Sequence, residues 1–173
     1  ARVFAGERNI LTPILGGAER LIYRLIGVNP TREMTWRGYT LALLVFNTLG
    51  FLLLLGILLG QGFMPLNPQG FPGMKLPLAV NTAISFMTNT NWQAYGGETT
   101  MSYLTQMMGF TVHNFLSAAT GIVVAIALMR GLTRHETSSL GNFWTDLVRC
   151  TVRILLPISL ICAFLLVQQG VIQ

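Results

Sequence analysis

Charge is what this 173-residue chain has least of: 10% of its residues are charged, and only six are acidic. Soluble domains carry roughly a quarter, so a surface that faces water over most of its area is excluded. The two cysteines, Cys150 and Cys162, sit 12 residues apart around an apolar run. That is neither a disulfide framework nor a metal-ligand spacing, and both read as filler in a packed helix. Residues 1–10 hold two arginines and no apolar core of the length a cleavable signal needs. Paired carboxylates, a nucleophile elbow and a phosphate-cradling loop are all missing. An enzyme reading would have to use His113 with Glu98 or Ser102. His113 has no such supporting group beside it and reads as a polar helix contact near the membrane interface.

What is present is apolar: 52% of the residues are hydrophobic. Residues 39–60 form a run of 22, interrupted only by Thr40, Asn47, Thr48 and glycines. Residues 107–129 form a run of 23, with His113 and Asn114 near its start. Both reach the ~20 residues a bilayer-spanning helix needs. The third run, residues 154–167, is extended upstream by an amphipathic turn or two from Phe143; it is short on its own and spans only if residues 151–167 are counted, with Arg153 snorkelling to the interface.

The basic residues are placed by position, not clustered for nucleic acid. Arg2, Arg8, Arg20, Arg24, Arg32 and Arg37 precede the first run; Arg130, Arg134, Arg149 and Arg153 lie between the second and the third; only Lys75 falls in the long connection between the first two. That asymmetry follows the positive-inside rule and predicts a cytoplasmic N-terminus, with residues 61–106 facing outward. Within residues 18–28, Leu21, Ile22, Leu25 and Ile26 make one apolar stripe beside Arg20 and Arg24. This reads as an interfacial helix or one packed on a neighbouring subunit. Residues 29–31 break it, and Trp36 anchors the entry to the bilayer.

The outer connection begins as loop, with Pro65, Pro68, Pro72 and three glycines before Lys75. Pro77 suits a helical first turn, and residues 77–87 read as a helix of about three turns, too short to cross. It runs into residues 87–98, MTNTNWQAYGGE, a polar stretch between apolar ones. Irregular backbone at membrane depth survives only inside protein or along a water-filled cavity. There, carbonyls can replace an ion's water shell, and the negative end of a short helix favours a cation. Backbone oxygens of Thr88, Asn89, Thr90 and Asn91 are the candidate ligands. Trp92 and Tyr95 are expected to pack behind the loop and Gln93 to face the pore mouth. Gly96 and Gly97 would turn the chain back, and Glu98 would put one negative charge at the entrance.

The segments LNPQ (66–69), NTAISFMTNTNWQ (81–93), GETTMSY (97–103) and NFLSAATG (114–121), with LGN at 140–142 and QQG at 168–170, carry a resemblance. From about Glu19 to Gly170, the sequence resembles the potassium-binding, channel-like subunit of Kdp-type potassium-transporting P-type ATPases, within the superfamily of potassium transporters. The resemblance implies an all-α membrane protein of the bacterial or archaeal inner membrane, built from four membrane helix–pore helix–filter–membrane helix units. On that pattern residues 1–38 are a cytoplasmic N-terminal segment. Residues 39–129 are the first pore unit: helix 39–60, pore helix 77–87, filter 88–98 and helix 107–129. Residues 130–142 are a cytoplasmic loop, and 143–173 open a second unit. This chain looks like an N-terminal fragment of a subunit roughly three times longer. One filter quarter cannot enclose a pore, and Asn47, Ser117 and Thr120 are expected to face the other repeats.

The resemblance places the filter on Thr88 to Trp92 and ties Gln93 to potassium affinity. Familiar potassium filters centre on glycine, and this one has none between Met87 and Tyr95; Asn89 or Asn91 would stand in, since asparagine tolerates left-handed backbone. Potassium is the implied ligand, with no organic cofactor. ATP hydrolysis is expected on a partner P-type ATPase subunit, alongside small accessory membrane subunits. A homotetrameric potassium channel and a non-conducting structural membrane subunit remain as alternatives; the third apolar run argues against the first and the half-length helix against the second.

Overall fold

The computed structural model describes residues 2–7, 12–133 and 139–170; Arg8 and Arg134 lie outside the described residues. Its architecture is that of an all-α membrane protein. Among the described residues, three helices are long and apolar enough to cross a membrane: Trp36–Phe63, Thr105–Thr133 and Phe143–Gln168, of 28, 29 and 26 residues. At 1.5 Å per residue each reaches about 40 Å, more than the ~30 Å hydrocarbon core. The third is therefore far longer than its apolar run suggests, because the amphipathic turn from Phe143 joins it.

In order, the elements are α1 (Arg2–Ala5), α2 (Thr12–Leu25), β1 (Met34–Thr35), α3 (Trp36–Gly60) and a 3-10 turn at Gln61–Phe63. Then follow α4 (Leu76–Met87), α5 (Gly97–Thr100) and α6 (Val112–Thr133), which a π-helical segment, Thr105–Thr111, precedes. Last come β2 (Ser139–Gly141), α7 (Phe143–Cys150), a second π-helical segment, Thr151–Leu155, and α8 (Leu156–Gln168). The described strands are only β1 and β2, paired antiparallel.

The chain forms two compact units, Leu43–Gly121 and a second made of Ala1–Ala42 with Ile122–Gln173. In the first, α4 packs Ala79, Ala83 and Phe86 against Leu54, Leu58, Met74, Met101 and Phe110. Phe86 and Phe110 stack at 4.2 Å between centroids. Gly109 allows the close approach, since a Cβ there would meet Leu54 Cδ1 at 3.1 Å. His113 is 4% exposed and joins two helices, its Nδ1 facing the Gly109 carbonyl at 2.9 Å and its Nε2 the Gly50 carbonyl at 2.8 Å. It is a buried polar contact between two helices, as its lack of catalytic neighbours suggests.

The second unit is held by charge. Asp146, 2% exposed, takes Arg130 NH1 at 2.5 Å and NH2 at 3.0 Å, and accepts from the Tyr39 hydroxyl at 3.2 Å. Arg130 also donates to the Leu140 carbonyl at 2.9 Å. Glu19 on α2 accepts from Tyr23 at 2.7 Å and from Arg149 Nε at 3.4 Å, and it pairs with Arg153. Two expectations, on Arg153 and on Cys162, are corrected here. Arg153 does not snorkel: its side chain is 7% exposed and Glu19 replaces water as its partner. On α2, Glu19 and Tyr23 define the buried face, and Leu21, Leu25 and Ile26 of the apolar stripe stay exposed in this chain. Cys150 is buried as packed filler, but Cys162 is exposed.

Candidate functional site

The candidate site begins where α4 ends. Lys75 is the extended residue before it and Pro77 lies in its first turn, where a missing N–H costs nothing. After 12 residues α4 stops at Thr88, whose N–H still reaches the Ile84 carbonyl at 2.9 Å. A helix of this length is about 18 Å long and cannot cross. Its C-terminal end carries the negative end of the helix dipole and opens directly on the loop, whose N–H groups pair with the Ile84, Ser85 and Phe86 carbonyls.

The loop has an unusual backbone. Asn89 and Asn91 both lie in the left-handed region, at φ 56° and 55°. These two and Leu66 are the described non-glycine residues with positive φ, and asparagine is among the side chains that tolerate that region. In an ordinary strand, successive carbonyls point to opposite sides along with the pleat. Interposing left-handed residues flips the intervening peptides and lets several oxygens face one way. Asparagine thus takes the place glycine would occupy.

What surrounds the loop is neutral. The Ser85 carbonyl accepts the N–H of Thr90 at 3.0 Å and of Asn91 at 3.2 Å. The Ser85 hydroxyl donates to the Trp92 carbonyl at 2.9 Å. Thr88 and Thr90 hydroxyls meet at 2.8 Å. Asn89 Oδ1 accepts from Asn91 Nδ2 at 3.3 Å and from the Ser117 hydroxyl at 3.2 Å. Thr88, Asn89, Thr90, Asn91, Trp92, Gln93 and Glu98 are all exposed in this chain.

Several side chains depart from expectation. Tyr95 packs behind the loop, its ring 5.7 Å from Phe110, but Trp92 does not: it is 46% exposed, and the loop is tied through its carbonyl rather than its indole. The Tyr95 hydroxyl is buried without a hydrogen-bond partner. Burial pushes it up to about 12, partly offset by the Gln93 amide, which stops short of hydrogen-bond geometry. Gly96 and Gly97 do not reverse the chain through left-handed backbone; Gly96 is extended at φ −90° and the short helix α5 makes the turn, with Glu98 in it. Ser117, Thr120 and Asn47 each find a hydrogen-bond partner within this chain. Ser117 holds Asn89, Thr120 donates to the Leu116 carbonyl at 2.7 Å and Asn47 to the Leu43 carbonyl at 2.9 Å, since a hydroxyl or amide on a membrane helix is satisfied most cheaply within its own turn.

Sequence reasoning missed Ser85 and Gln61. Gln61 is fully buried. Its amide donates to the carbonyls of Pro72 at 2.7 Å and Thr100 at 2.8 Å, and accepts from Ser102 N at 3.2 Å and the Thr105 hydroxyl at 3.0 Å. It ties the end of α3 to both sides of the outer loop. A glutamine directly after a 22-residue apolar run was the available signal. Among the described residues no three His, Cys, Asp or Glu side chains gather to hold a metal, and the loop residues Thr88 to Gln93 offer backbone and neutral side-chain oxygens.

Comparison with known proteins converges on one assignment. The chain is 60% identical over 173 residues to the potassium-transporting ATPase potassium-binding subunit of Geobacter sulfurreducens, covering 100% of this chain and 29% of that protein. It is 59% identical over 173 residues to the same-named subunit of Geotalea uraniireducens, again covering 100% and 29%. For Pseudomonas entomophila the identity is 59% over 172 residues, 99% of this chain and 30% of the relative. The chain thus spans about three-tenths of the length of the curated relatives it matches. Residues 1–173 match the potassium-transporting ATPase A subunit throughout, and the chain belongs to that family.

Proposed function

We propose that this chain is part of a potassium-binding and translocating subunit in an ATP-driven uptake complex, and that Thr88 to Gln93 form one quarter of its selectivity filter. The observation that carries the reading is the left-handed pair Asn89 and Asn91 at the end of a half-length helix. It arranges neutral oxygens in a loop without fixed charge, suited to a weakly hydrated monovalent cation. The relatives' name, potassium-binding subunit of a potassium-transporting ATPase, supports the same ion. Further filter quarters would come from the rest of a protein of the relatives' length. Tyr95 and α5, with Gly96, Gly97 and Glu98, would support the pore mouth. ATP hydrolysis would reside on a partner P-type subunit, with small accessory membrane subunits beside it, in the bacterial or archaeal inner membrane.

Gln93→Arg tests the filter. A cation within about 5 Å of the first site, at an effective dielectric of ~20, costs about 3 kcal/mol, roughly a hundredfold in affinity. Glu98→Gln, farther out and exposed, should change affinity by well under about tenfold because screening weakens surface charge. Potassium-dependence curves of ATPase activity in the intact complex measure both. An unchanged half-saturation for Gln93→Arg would remove this loop from the filter.

The basic asymmetry supports a cytoplasmic N-terminus. In the full-length protein, a cysteine introduced at Gln69 should label from outside, and one at Arg134 only after permeabilisation. The reverse pattern would invert the orientation.

A further inference from the structure

We propose that Ser85 and Ser117 are positioning residues that set the ion preference of the loop, gripping it from two helices without contacting the ion. The inference rests on the filter reading above and adds the groups that hold its oxygens in place.

Ser85 is 1% exposed and lies on the last full turn of α4. Both of its polar oxygens are spent on the loop. Its carbonyl gathers the N–H groups of Thr90 and Asn91 and accepts from the Thr88 hydroxyl at 3.3 Å. Its own hydroxyl donates to the Trp92 carbonyl at 2.9 Å. One buried residue therefore fixes the backbone from 88 to 92. Nothing in chain geometry requires this, since an alanine would continue α4 equally well.

Ser117 works from α6. It is 8% exposed and gives its hydroxyl to Asn89 Oδ1 at 3.2 Å, the same oxygen that receives Asn91 Nδ2 at 3.3 Å. With both donors on Oδ1, the amide oxygen is turned toward α6 and the two left-handed residues are linked through their side chains. A left-handed non-glycine residue is strained and persists only where its surroundings over-determine it. Ser85 and Ser117 supply that constraint at Asn89 and Asn91. Oxygens held in place can neither close around a smaller cation nor spread for a larger one such as rubidium, whereas a loosened ring discriminates less between ions of different size.

The test uses the purified intact complex with the full-length subunit, reading the half-saturation of ATPase activity for potassium and for rubidium. Loss of one neutral hydrogen bond corresponds to about fivefold. Ser85→Ala should therefore raise the potassium half-saturation by about that factor and bring the rubidium-to-potassium ratio closer to one. Ser117→Ala should shift both in the same direction by less, and Ser117→Thr, which keeps the hydroxyl, should restore the wild-type ratio. If the alanine variants assemble and keep both half-saturations, or lose only maximal rate, the proposal is overturned. Failure of both to assemble overturns it too, because the serines would then be holding the fold rather than the ion site. Gln93→Arg separates the two ideas: if it acts and the serine variants do not, the filter stands and the positioning role falls.

Discussion

The two compact units solve the problem of burying polar groups in opposite ways. The unit that carries the loop, Leu43–Gly121, has only two formal charges, Lys75 and Glu98, and its interior is tied by neutral groups: Gln61, Ser85, Ser102, Thr105 and His113. The other unit is stapled by arginine–carboxylate pairs at Asp146 and Glu19. A fixed charge beside a cation site adds several kcal/mol at low dielectric. It would either trap the ion or repel it, so a place where an ion must bind and leave is better framed by dipoles. Where the task is only to hold helices together, paired charges give more geometric definition, and arginine's planar fork suits them.

The sharpest way to break the contrast is to orphan a buried charge. Arg130→Ala leaves the Asp146 carboxylate, 2% exposed, with only Tyr39 to face it. It should destabilise the protein by about 3–5 kcal/mol, whereas replacing both partners with apolar residues of similar size should recover much of that. Denaturant titration of the subunit in detergent measures it. A loss below about 1 kcal/mol would mean that the pair is solvated.

The neutral unit should yield less per group. Gln61→Leu keeps the volume but strands two carbonyls and the Ser102 N–H, while the Thr105 hydroxyl keeps the Ser102 hydroxyl as its partner. Each buried orphan costs roughly 1–3 kcal/mol, and the connection after α3 should become protease-sensitive before the helices do. Limited proteolysis that cuts variant and wild type at the same rate would remove Gln61 from that role.

The smallest effect probes the charged unit by pH. Burial would raise the Glu19 carboxyl, but hydrogen bonds from Tyr23 and Arg153 and the charges of Arg153 and Arg149 outweigh it and leave it lowered from 4.5. A lowered folded value means that Glu19 stabilises α2 at and above the ordinary carboxylate value. That support fades as pH falls below 4.5 through the folded value. Acid should therefore release α2, as protonation of Glu19 weakens its pairs with Arg149 and Arg153. Hydrogen exchange across that range should show α2 losing protection, and Glu19→Gln should abolish the pH dependence. Unchanged protection of α2 across that range would remove Glu19 from that role.

How much of this was legible beforehand differs by element. The first two spans could be read because the lipid-facing surface needs an unbroken apolar run, and such a run is a local property of the chain. The stop after Met87 was visible for the same reason, as polar residues end the run. The third span could be read with its amphipathic start at Phe143, but not what buries that start: Arg149 and Arg153 are neutralised by a glutamate about 130 residues away in sequence. The role of asparagine in the loop could be reasoned from conformational tolerance alone, whereas Trp92 and the glycine pair could not, because the carbonyl and α5 took over what side chain and glycine were expected to do.

By itself, then, the sequence determined what is local and additive: apolar length, the uneven placement of arginine, the helix-ending string TNTNWQ with no glycine in it. Tertiary structure alone decided which polar groups meet. Ser85 and Ser117 come from different helices to one loop, Gln61 bridges 39 to 44 positions of sequence, and Glu19 reaches across 130 and more. The physical reason is that a hydrogen bond or ion pair depends on distances of about 3 Å, and such distances are set by how helices pack rather than by composition or order.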